Sequence, residues 1–199
     1  MNEKEILNIF TKTGAILEGH FKLSSGLHSA KYLQCARVLQ YPEYAEKLCK
    51  SLAKHLKNHS SSRSWNGSLS AVVAPALGGI IVAYEVARAL GVKALFTERV
   101  EGKMTLRRGF EIKKDSKVIV VEDVVTTGLS TKEVADTVRS LGATVVGVGC
   151  IVDRSKEKID FDAPFKSLIK IEVLAFTQES CPLCAKKIPI TKPGSRSSS

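Results

Sequence analysis

The pattern of apolar and polar positions predicts short buried strands that alternate with amphipathic helices. Mostly apolar segments, rich in β-branched residues, predict strands at residues 71–74, 92–97, 118–121, 145–152 and 168–176. Segments with apolar residues at helical spacing stand at residues 3–13, 42–56, 80–90 and 131–141. Strands that are apolar on both faces are typical of parallel sheets, and strand–loop–helix units in series build such sheets. The sequence therefore predicts an α/β fold, with an open parallel sheet flanked by helices.

One strand-to-helix connection carries unusual polar chemistry. The apolar segment 118–121 leads into Glu122 and Asp123, and a loop of hydroxyl residues with Gly128 precedes the next helix. Unpaired backbone N–H groups and the dipole at a helix N-terminus favour an anion. A glycine lets the backbone approach that anion, and threonine and serine hydroxyls add donors. This combination predicts a phosphate-binding loop.

The two adjacent carboxylates narrow the choice of ligand. Because carboxylates repel phosphate, Glu122 and Asp123 indicate a ligand that carries a sugar beside its phosphate. Carboxylates accept hydrogen bonds from vicinal hydroxyls, and they also stabilise a cation-like transition state or a nearby Mg²⁺. The alternative is an acidic turn at a strand end that only caps the following helix.

Residues 118–130 resemble the phosphoribosyl-pyrophosphate (PRPP) loop of the type I phosphoribosyltransferases. The shared pattern is four apolar residues, two acids, two apolar residues, Thr-Thr-Gly and a hydroxyl residue. The resemblance implies that the acids hold the ribose hydroxyls and that residues 126–130 wrap the 5′-phosphate. The implied PRPP-binding residues are Glu122, Asp123, Val124, Val125, Thr126, Thr127, Gly128, Leu129 and Ser130.

The N-terminal part resembles the orotate phosphoribosyltransferases. Residues 19–26 carry Gly-x-Phe-x-Leu-x-Ser-Gly, and an aromatic, strand-like segment follows. From the residues alone this region is a hairpin or loop. In that family it belongs to a hood over the pyrimidine, which implies orotate contacts at Tyr32 and Leu33. The family usually has lysine where this chain has Ser24.

Arg154 follows the predicted strand at 145–152, at the sheet edge where ligands bind in open α/β folds. A guanidinium binds a planar carboxylate through two parallel hydrogen bonds, and orotate has such a carboxylate. The alternative is a surface ion pair between Arg154 and Asp153. The orotate-binding residues that the resemblance implies are Thr126, Arg154, Tyr32, Leu33 and Ser24.

The turn at residues 75–79 contains two adjacent glycines, which suit close approach of an anion to the backbone. In the type I family the corresponding loop binds pyrophosphate. Many orotate enzymes carry Tyr-Lys where this chain has Leu77 and Gly78. The backbone cradle is therefore expected here without the lysine charge.

Two interpretations of the charged segment 98–112 remain open from its residues. It is either a solvated hairpin or a mobile flap that brings cations onto a leaving pyrophosphate and excludes water. The orotate family has a flexible catalytic loop here that reaches the partner subunit's site. This chain keeps Arg99 and Lys103 of that loop, with Val100 and Thr105 in place of a lysine and a histidine.

The flap resemblance implies a homodimer in which Lys103 acts across the interface. The implied pyrophosphate-binding residues are Leu77, Gly78, Arg99, Lys103 and Thr105. The implied catalytic residues are Lys103, Arg99 and Asp123.

The net charge of +10 is compatible with nucleic-acid binding and equally with a polyanionic small substrate, of which PRPP is one. The chain has no apolar run of membrane-spanning length and no signal-peptide pattern, so the expected location is the cytoplasm. We expect neither a membrane nor a nucleic acid as partner.

The five cysteines are an odd number, which argues against a disulfide framework. Cys181 and Cys184 form a single CxxC, which is half of a tetrahedral zinc site, and no second pair accompanies it. A thioredoxin-like role lacks the expected strand-to-helix context. The sequence leaves open whether this pair binds a metal.

Together these features predict a single domain over residues 1–199. The hood is expected at about 1–40 and 155–185, the core at about 41–154 and a mobile tail at about 186–199. The implied reaction converts orotate and PRPP to orotidine 5′-monophosphate and pyrophosphate in pyrimidine biosynthesis, with Mg²⁺ carried by PRPP rather than held directly by the protein. Two alternatives stay open: a phosphoribosyltransferase for a purine base, and a PRPP-sensing regulator that binds nucleic acid.

Overall fold

The computed structural model describes residues 1–23, 25–59 and 69–192. The helices are α1 (Glu3–Lys12), α2 (Ala36–Leu39), α3 (Pro42–His59), α4 (Gly79–Leu90), α5 (Leu129–Ser140) and α6 (Pro182–Ala185). The strands are β1 (Ile16–Lys22), β2 (His28–Leu33), β3 (Leu69–Pro75), β4 (Lys93–Val100), β5 (Lys103–Leu106), β6 (Lys117–Val125), β7 (Thr144–Asp153) and β8 (Phe165–Lys170). Within these ranges no helix combines the length and the apolar character needed to cross a membrane.

The central sheet has six strands in the order β5-β4-β3-β6-β7-β8. Strands β4, β3, β6, β7 and β8 run parallel to their neighbours, whereas β5 is antiparallel to β4. Strand β6 lies in the interior of the sheet, so its carboxyl end opens at the middle of the sheet edge. The expected open parallel sheet flanked by helices is confirmed.

Both faces of this sheet are buried, which explains its nearly continuous apolar strands. One face packs on α1, α3 and α4, and the strand residues in this cluster include Val72, Ala74, Ile119 and Val121. The other face packs on α5, and the strand residues in that cluster include Ala71, Val73, Val118 and Val120. The alternation of these residues along β3 and β6 produces a three-layer arrangement.

The first helix is held by its own sequence. The Asn2 side chain accepts a hydrogen bond from the Glu5 backbone N–H at 3.0 Å, and the Glu5 carboxylate accepts one from the Asn2 N–H at 2.9 Å. This capping box satisfies two donors at the helix start. The apolar side chains of Ile6, Ile9 and Phe10 on this helix are all buried in the core.

Strands β1 and β2 form a separate antiparallel hairpin outside the central sheet. The C-terminal segment runs along this hairpin: Lys22 N donates to Thr191 O at 2.8 Å, and Thr191 N donates to His20 O at 2.8 Å. A second attachment joins His28 and Phe176, whose N–H and carbonyl groups pair in both directions. We call residues 16–33 and 171–192, apart from residue 24, the hood.

The chain after the last sheet strand differs from expectation. The strand predicted at 168–176 is instead β8, Phe165–Lys170, which pairs with β7 in the central sheet. Residues 171–176 turn onto the hood, where Ser29 Oγ donates to Leu174 O at 2.9 Å. Residues 186–192, expected in a tail, also lie against the hood hairpin, because its edge satisfies their backbone groups. The rest of that expected tail, 193–199, lies outside the described residues.

The start of α5 depends on a glycine. Gly128 is the N-cap residue and has φ 74°, in the left-handed region that favours glycine. A methyl group at this position would lie 3.0 Å from Ile159 Cδ1 and 3.0 Å from Phe161 Cζ. Backbone conformation and packing therefore both require glycine at the loop that precedes α5.

We expect Gly128→Ala to destabilise the protein more than Gly91→Ala. Gly91 also has a positive φ, 71°, but a methyl group there would meet nothing within 4 Å. The left-handed conformation should cost each variant about 1–2 kcal/mol. Overpacking against Ile159 and Phe161 should cost Gly128→Ala about 1–3 kcal/mol more.

The free energies of unfolding, from urea titrations of both variants and the parent, measure this difference. If both variants lose the same free energy of unfolding, Ile159 and Phe161 move aside without cost. That result would contradict the proposed packing requirement at Gly128.

Candidate active site

A cleft of about 1520 Å³ opens at the carboxyl ends of β6 and β7, beneath the hood. The sheet contributes Asp123 and Arg154, and the hood contributes Tyr32 and Leu33. The predicted site residues on the cleft lining are Tyr32, Leu33, Leu77, Gly78, Asp123, Val124, Thr126, Thr127 and Arg154. Residues that are far apart in the sequence therefore meet at the sheet edge where open α/β folds bind ligands.

The acidic pair lies near the end of β6, which extends to Val125 instead of ending before the acids. Glu122 is buried, and burial followed by the neighbouring Asp123 raises its pKa well above the ordinary range of a glutamate. Burial also raises the pKa of Asp123, although the Val124 N–H donates to Asp123 Oδ1 at 2.9 Å. Two carboxylates in this position favour a ligand that offers hydrogen-bond donors or positive charge.

Two glycines lie directly against the acidic pair. A methyl group at Gly78 would lie 2.8 Å from Asp123 Oδ1, and one at Gly79 would lie 2.7 Å from Ala74 Cβ and 3.3 Å from Glu122 Oε1. The peptide bond between Ala76 and Leu77 is cis. At Gly78 and Gly79 the 75–79 turn therefore places backbone without side chains beside the carboxylates. Many orotate enzymes have a lysine where this chain has Gly78, so the lysine charge is missing at that position.

The predicted phosphate loop leads from β6 into α5. Thr126 and Thr127 are exposed and line the cleft. The N-cap residue Gly128 has no side chain to cap the first turn of the twelve-residue helix α5, where the Leu129 N–H makes a long hydrogen bond of 3.4 Å to Thr127 Oγ1. The Thr131 hydroxyl in this turn is buried and has no hydrogen-bond partner among the described residues. An uncapped helix start with adjacent hydroxyls suits a phosphate group.

The opposite part of the cleft is formed by Arg154 and the hood. Arg154 N donates to Val125 O at 2.8 Å, which holds the residue beside the end of β6. Its Nε is buried without a partner among the described residues, and burial lowers the pKa of its guanidinium. Burial raises the pKa of the Tyr32 hydroxyl, and the nearby Arg154 opposes that shift. A desolvated cation with an unused donor favours an anionic group of the ligand.

The ion pair between Arg154 and Asp153, which was the alternative interpretation of Arg154, is not among the ion pairs of the described residues. The carboxylate of Asp153 accepts instead from the Ser155 backbone N–H, at 2.8 Å. Asp153 therefore fixes the turn after β7, and its neighbour Arg154 lines the cleft.

Further cations on the cleft lining were not predicted. They are Lys22 and Lys192 from the hood, Lys132 from the first turn of α5, and Lys156 and Lys158 from the loop after Arg154. Lys132 comes two residues after the predicted phosphate loop. Its position in the sequence could therefore have indicated a cation of the site. The hood lysines carried no such signal, because their approach depends on the packing of the C-terminal segment.

Arg99, Lys103 and Thr105 lie elsewhere in the described chain, on the β4–β5 hairpin at the edge of the sheet. Arg99 forms an ion pair with Glu133 of α5, which raises the pKa of its guanidinium. Lys103 is exposed. The cleft lining formed by the described residues of this single chain does not include them.

The remaining predicted residues flank the lining. Glu122, Val125 and Gly128 are buried beneath it, Ser130 is half-buried, and Leu129 is exposed. Ser24, predicted as an orotate contact, lies outside the described residues.

Comparison with known proteins agrees with this geometry. Residues 40–182 match the model of the phosphoribosyl transferase domain. The chain is 55% identical over 196 residues to an orotate phosphoribosyltransferase of Thermoanaerobacter sp. (strain X514), with 98% of this chain and 99% of the relative covered. It is 56% identical over 192 residues to that of Carboxydothermus hydrogenoformans (strain ATCC BAA-161 / DSM 6008 / Z-2901), with 96% and 97% covered.

Among solved structures, the chain is similar to the orotate phosphoribosyltransferase of Aeropyrum pernix. The TM-score is 0.67 at 27% sequence identity, over 83% of this chain and 93% of that chain. The domain match, the identity over nearly the full length and the shared fold agree with one another. The chain therefore belongs to the phosphoribosyltransferase family and, within it, to the orotate phosphoribosyltransferases.

Proposed function

We propose that this cleft transfers the 5-phosphoribosyl group of PRPP to N1 of orotate, releasing pyrophosphate and orotidine 5′-monophosphate. The observation that carries the proposal is one cleft that holds a desolvated guanidinium, Arg154, together with an acidic strand end and an uncapped helix start. Each of these features suits one part of the two substrates: the orotate carboxylate, the ribose hydroxyls and the 5′-phosphate.

In the proposed reaction, N1 of orotate loses its proton and forms a bond to C1′ as the bond from C1′ to the pyrophosphate oxygen breaks. Positive charge develops on the ribose ring at this stage. The carboxylate of Asp123 on the cleft lining, with Glu122 buried behind it, is proposed to stabilise that charge. The protein forms no covalent bond to the substrate, so positioning the two reactants supplies much of the rate.

We propose that Arg154 orients orotate by its carboxylate, with Tyr32 and Leu33 of the hood covering the ring. The Phe21 ring packs on Tyr32 with centroids 5.8 Å apart, which supports the position of Tyr32 over the cleft. The backbone of Leu77 and Gly78, beside Asp123, is proposed to receive the pyrophosphate.

We propose that PRPP carries Mg²⁺ into the cleft, whose lining offers carboxylate oxygens such as those of Asp123. Mg²⁺ would neutralise charge on the leaving pyrophosphate. The five free cysteines agree with a reducing compartment such as the cytoplasm.

We further propose a homodimer in which the β4–β5 hairpin of one subunit completes the cleft of the other. Lys103 at the start of β5 is exposed at the sheet edge, and the cleft of its own chain does not include it among the described residues. An exposed cation on a hairpin is suited to reach a neighbouring subunit's leaving pyrophosphate.

The overall activity has a direct test. Mixing purified protein with orotate, PRPP and Mg²⁺ should produce a PRPP-dependent fall in the ultraviolet absorbance of orotate. Parallel reactions replace orotate with hypoxanthine, adenine, xanthine or uracil. Reaction with one of those bases and not with orotate would overturn the proposed substrate.

Arg154→Gln should raise KM for orotate about 10- to 100-fold, because a lost charge-assisted contact costs about 1.5–3 kcal/mol. KM for PRPP should change little, since the guanidinium is proposed to contact only the base. Initial rates at varied orotate and at varied PRPP separate the two effects.

Arg37→Gln is the matched control for Arg154→Gln. The Arg37 guanidinium donates to Gly14 O at 2.8 Å, outside the cleft, so its loss should leave both KM values unchanged. A rise in KM for PRPP alone in Arg154→Gln would reject the proposed carboxylate contact.

Lys103→Ala should lower kcat about 100-fold with little change in KM, because a donor to the leaving pyrophosphate acts mainly in the transition state. Lys113→Ala, at another exposed lysine, should keep the parent kcat. An unchanged kcat in Lys103→Ala would remove Lys103 from the catalytic residues.

Mixed dimers test whether Lys103 acts across the interface. Lys103→Ala and Asp123→Asn subunits, each inactive alone, should regain about a quarter of parental activity after unfolding and refolding together, since half of the dimers carry one intact site. If Lys103 serves its own chain, no mixed dimer contains an intact site and activity stays absent.

A further inference from the structure

Four metal-binding side chains converge inside the hood, away from the cleft residues described above. His20 lies on β1, His28 on β2, Cys181 immediately before α6 and Cys184 within α6. One donor atom from each side chain lies within 4.8 Å of all the others. The CxxC pair, which looked like half of a zinc site in the sequence, therefore meets two histidines from the other end of the chain.

The spacing of the donor atoms matches a tetrahedron around one ion. A tetrahedral Zn²⁺ with ordinary bond lengths puts two nitrogens about 3.3 Å apart, and a nitrogen and a sulfur about 3.6 Å apart. His20 Nε2 lies 3.1 Å from His28 Nδ1 and 3.6 Å from Cys181 Sγ. Cys184 Sγ lies 3.7 Å from His20 Nε2 and 3.2 Å from His28 Nδ1.

Hydrogen bonds among these groups do not account for the arrangement. The nitrogen His20 Nε2 has three close neighbours, the donor atoms of His28, Cys181 and Cys184. A neutral imidazole nitrogen offers a single lone pair, so it cannot serve three donors. Both cysteines are free thiols, so a disulfide does not explain the convergence either. A single cation at the centre satisfies all four groups.

The surroundings prepare the ligands for a metal. His20, His28 and Cys181 are at most 4% exposed, and Cys184 is half-buried. His20 Nδ1 donates to the Ile188 carbonyl at 2.7 Å, which leaves the lone pair on Nε2 for the ion. Outer hydrogen bonds of this kind fix the ring and tautomer of metal-binding histidines. Two thiolates also neutralise a divalent cation, which removes the cost of burying its charge.

We propose that His20, His28, Cys181 and Cys184 bind one Zn²⁺. Two nitrogen and two thiolate ligands in tetrahedral arrangement are the donor set that zinc prefers in structural sites. Four protein ligands leave no open coordination position, so the ion is structural and takes no part in phosphoribosyl transfer.

The proposed ion fastens the C-terminal segment to the hood hairpin. On either side of the cluster, Phe176 pairs with His28 and Thr191 pairs with His20 and Lys22 through backbone hydrogen bonds. These segments carry Leu174 and Lys192 onto the cleft lining. The hood is a two-stranded hairpin with its own small interior, and such units need additional support to keep one conformation.

The test begins with the metal content of the full-length protein purified from zinc-supplemented medium. We expect about one zinc ion per chain, and loss of that ion in Cys184→Ser and in His28→Asn. Cys49→Ala removes a buried thiol of the core and should keep the zinc. Ser180→Ala, next to Cys181, should also keep it.

A second measurement works on the unmodified chain, so it stands even if a ligand variant fails to fold. Chelator-treated protein titrated with Co²⁺ should develop the visible bands and thiolate charge-transfer absorption of a tetrahedral sulfur–nitrogen site, saturating at about one ion per chain. Chelation should also lower the unfolding temperature, and added Zn²⁺ should restore it.

Three results would overturn the proposal. The first is parent protein without zinc that also fails to bind added Zn²⁺ or Co²⁺. The second is zinc retained at the parental level in both ligand variants. The third is iron at this site in place of zinc. Each is distinguishable from failure of the proposed transfer reaction, because none of these measurements uses orotate or PRPP.

Discussion

The structure is organised around two adjacent carboxylates, one buried and one half-buried, near the end of its central strand. Glu122 and Asp123 lie where five parallel strands direct their carboxyl ends to one edge, and desolvation raises the pKa of both. Such a pair is costly without a ligand, and the surrounding chain is arranged around it. Backbone approaches so closely that side chains are excluded at Gly78 and Gly79. Perturbed pKa values such as those of Glu122 and Asp123 are typical of functional sites.

Charges of both signs line the cleft around this pair. Asp123 lies near the end of β6, and Glu157, Asp160 and Glu172 add further acids, while the cations include Lys132 of α5, Arg154 after β7 and Lys22 of the hood. A ligand that carries both hydrogen-bond donors and anionic groups suits such a lining. Arg154 makes its end of the cleft suited to an anionic group, because its buried Nε is an unused donor that is costly to leave desolvated.

The hood shows how a small element far from the sheet contributes to the cleft. It consists of one hairpin and the returning C-terminal segment, which are attached by backbone pairs at Thr191 and Phe176. Side chains join the same two pieces, since Ser29 Oγ donates to Leu174 O and two histidines converge on two cysteines. The proposed zinc would hold the hood in one position over the cleft. The proposed reaction and the proposed metal thus concern different parts of one molecule.

The sequence by itself determined the α/β class and the acidic strand end followed by a glycine turn and a helix, because these elements are encoded by neighbouring residues. The capping of α1 by Asn2 and the burial of both sheet faces also follow from residues that are neighbours in the sequence. Only the tertiary structure decided that Gly78 and Gly79 press on the acids, and that Cys181 and Cys184 meet His20 and His28. It also decided that residues 186–192 lie on the hood and that β8 joins the sheet. Periodicity reports which side of an element is buried, but contacts between residues more than a hundred positions apart depend on how the elements pack.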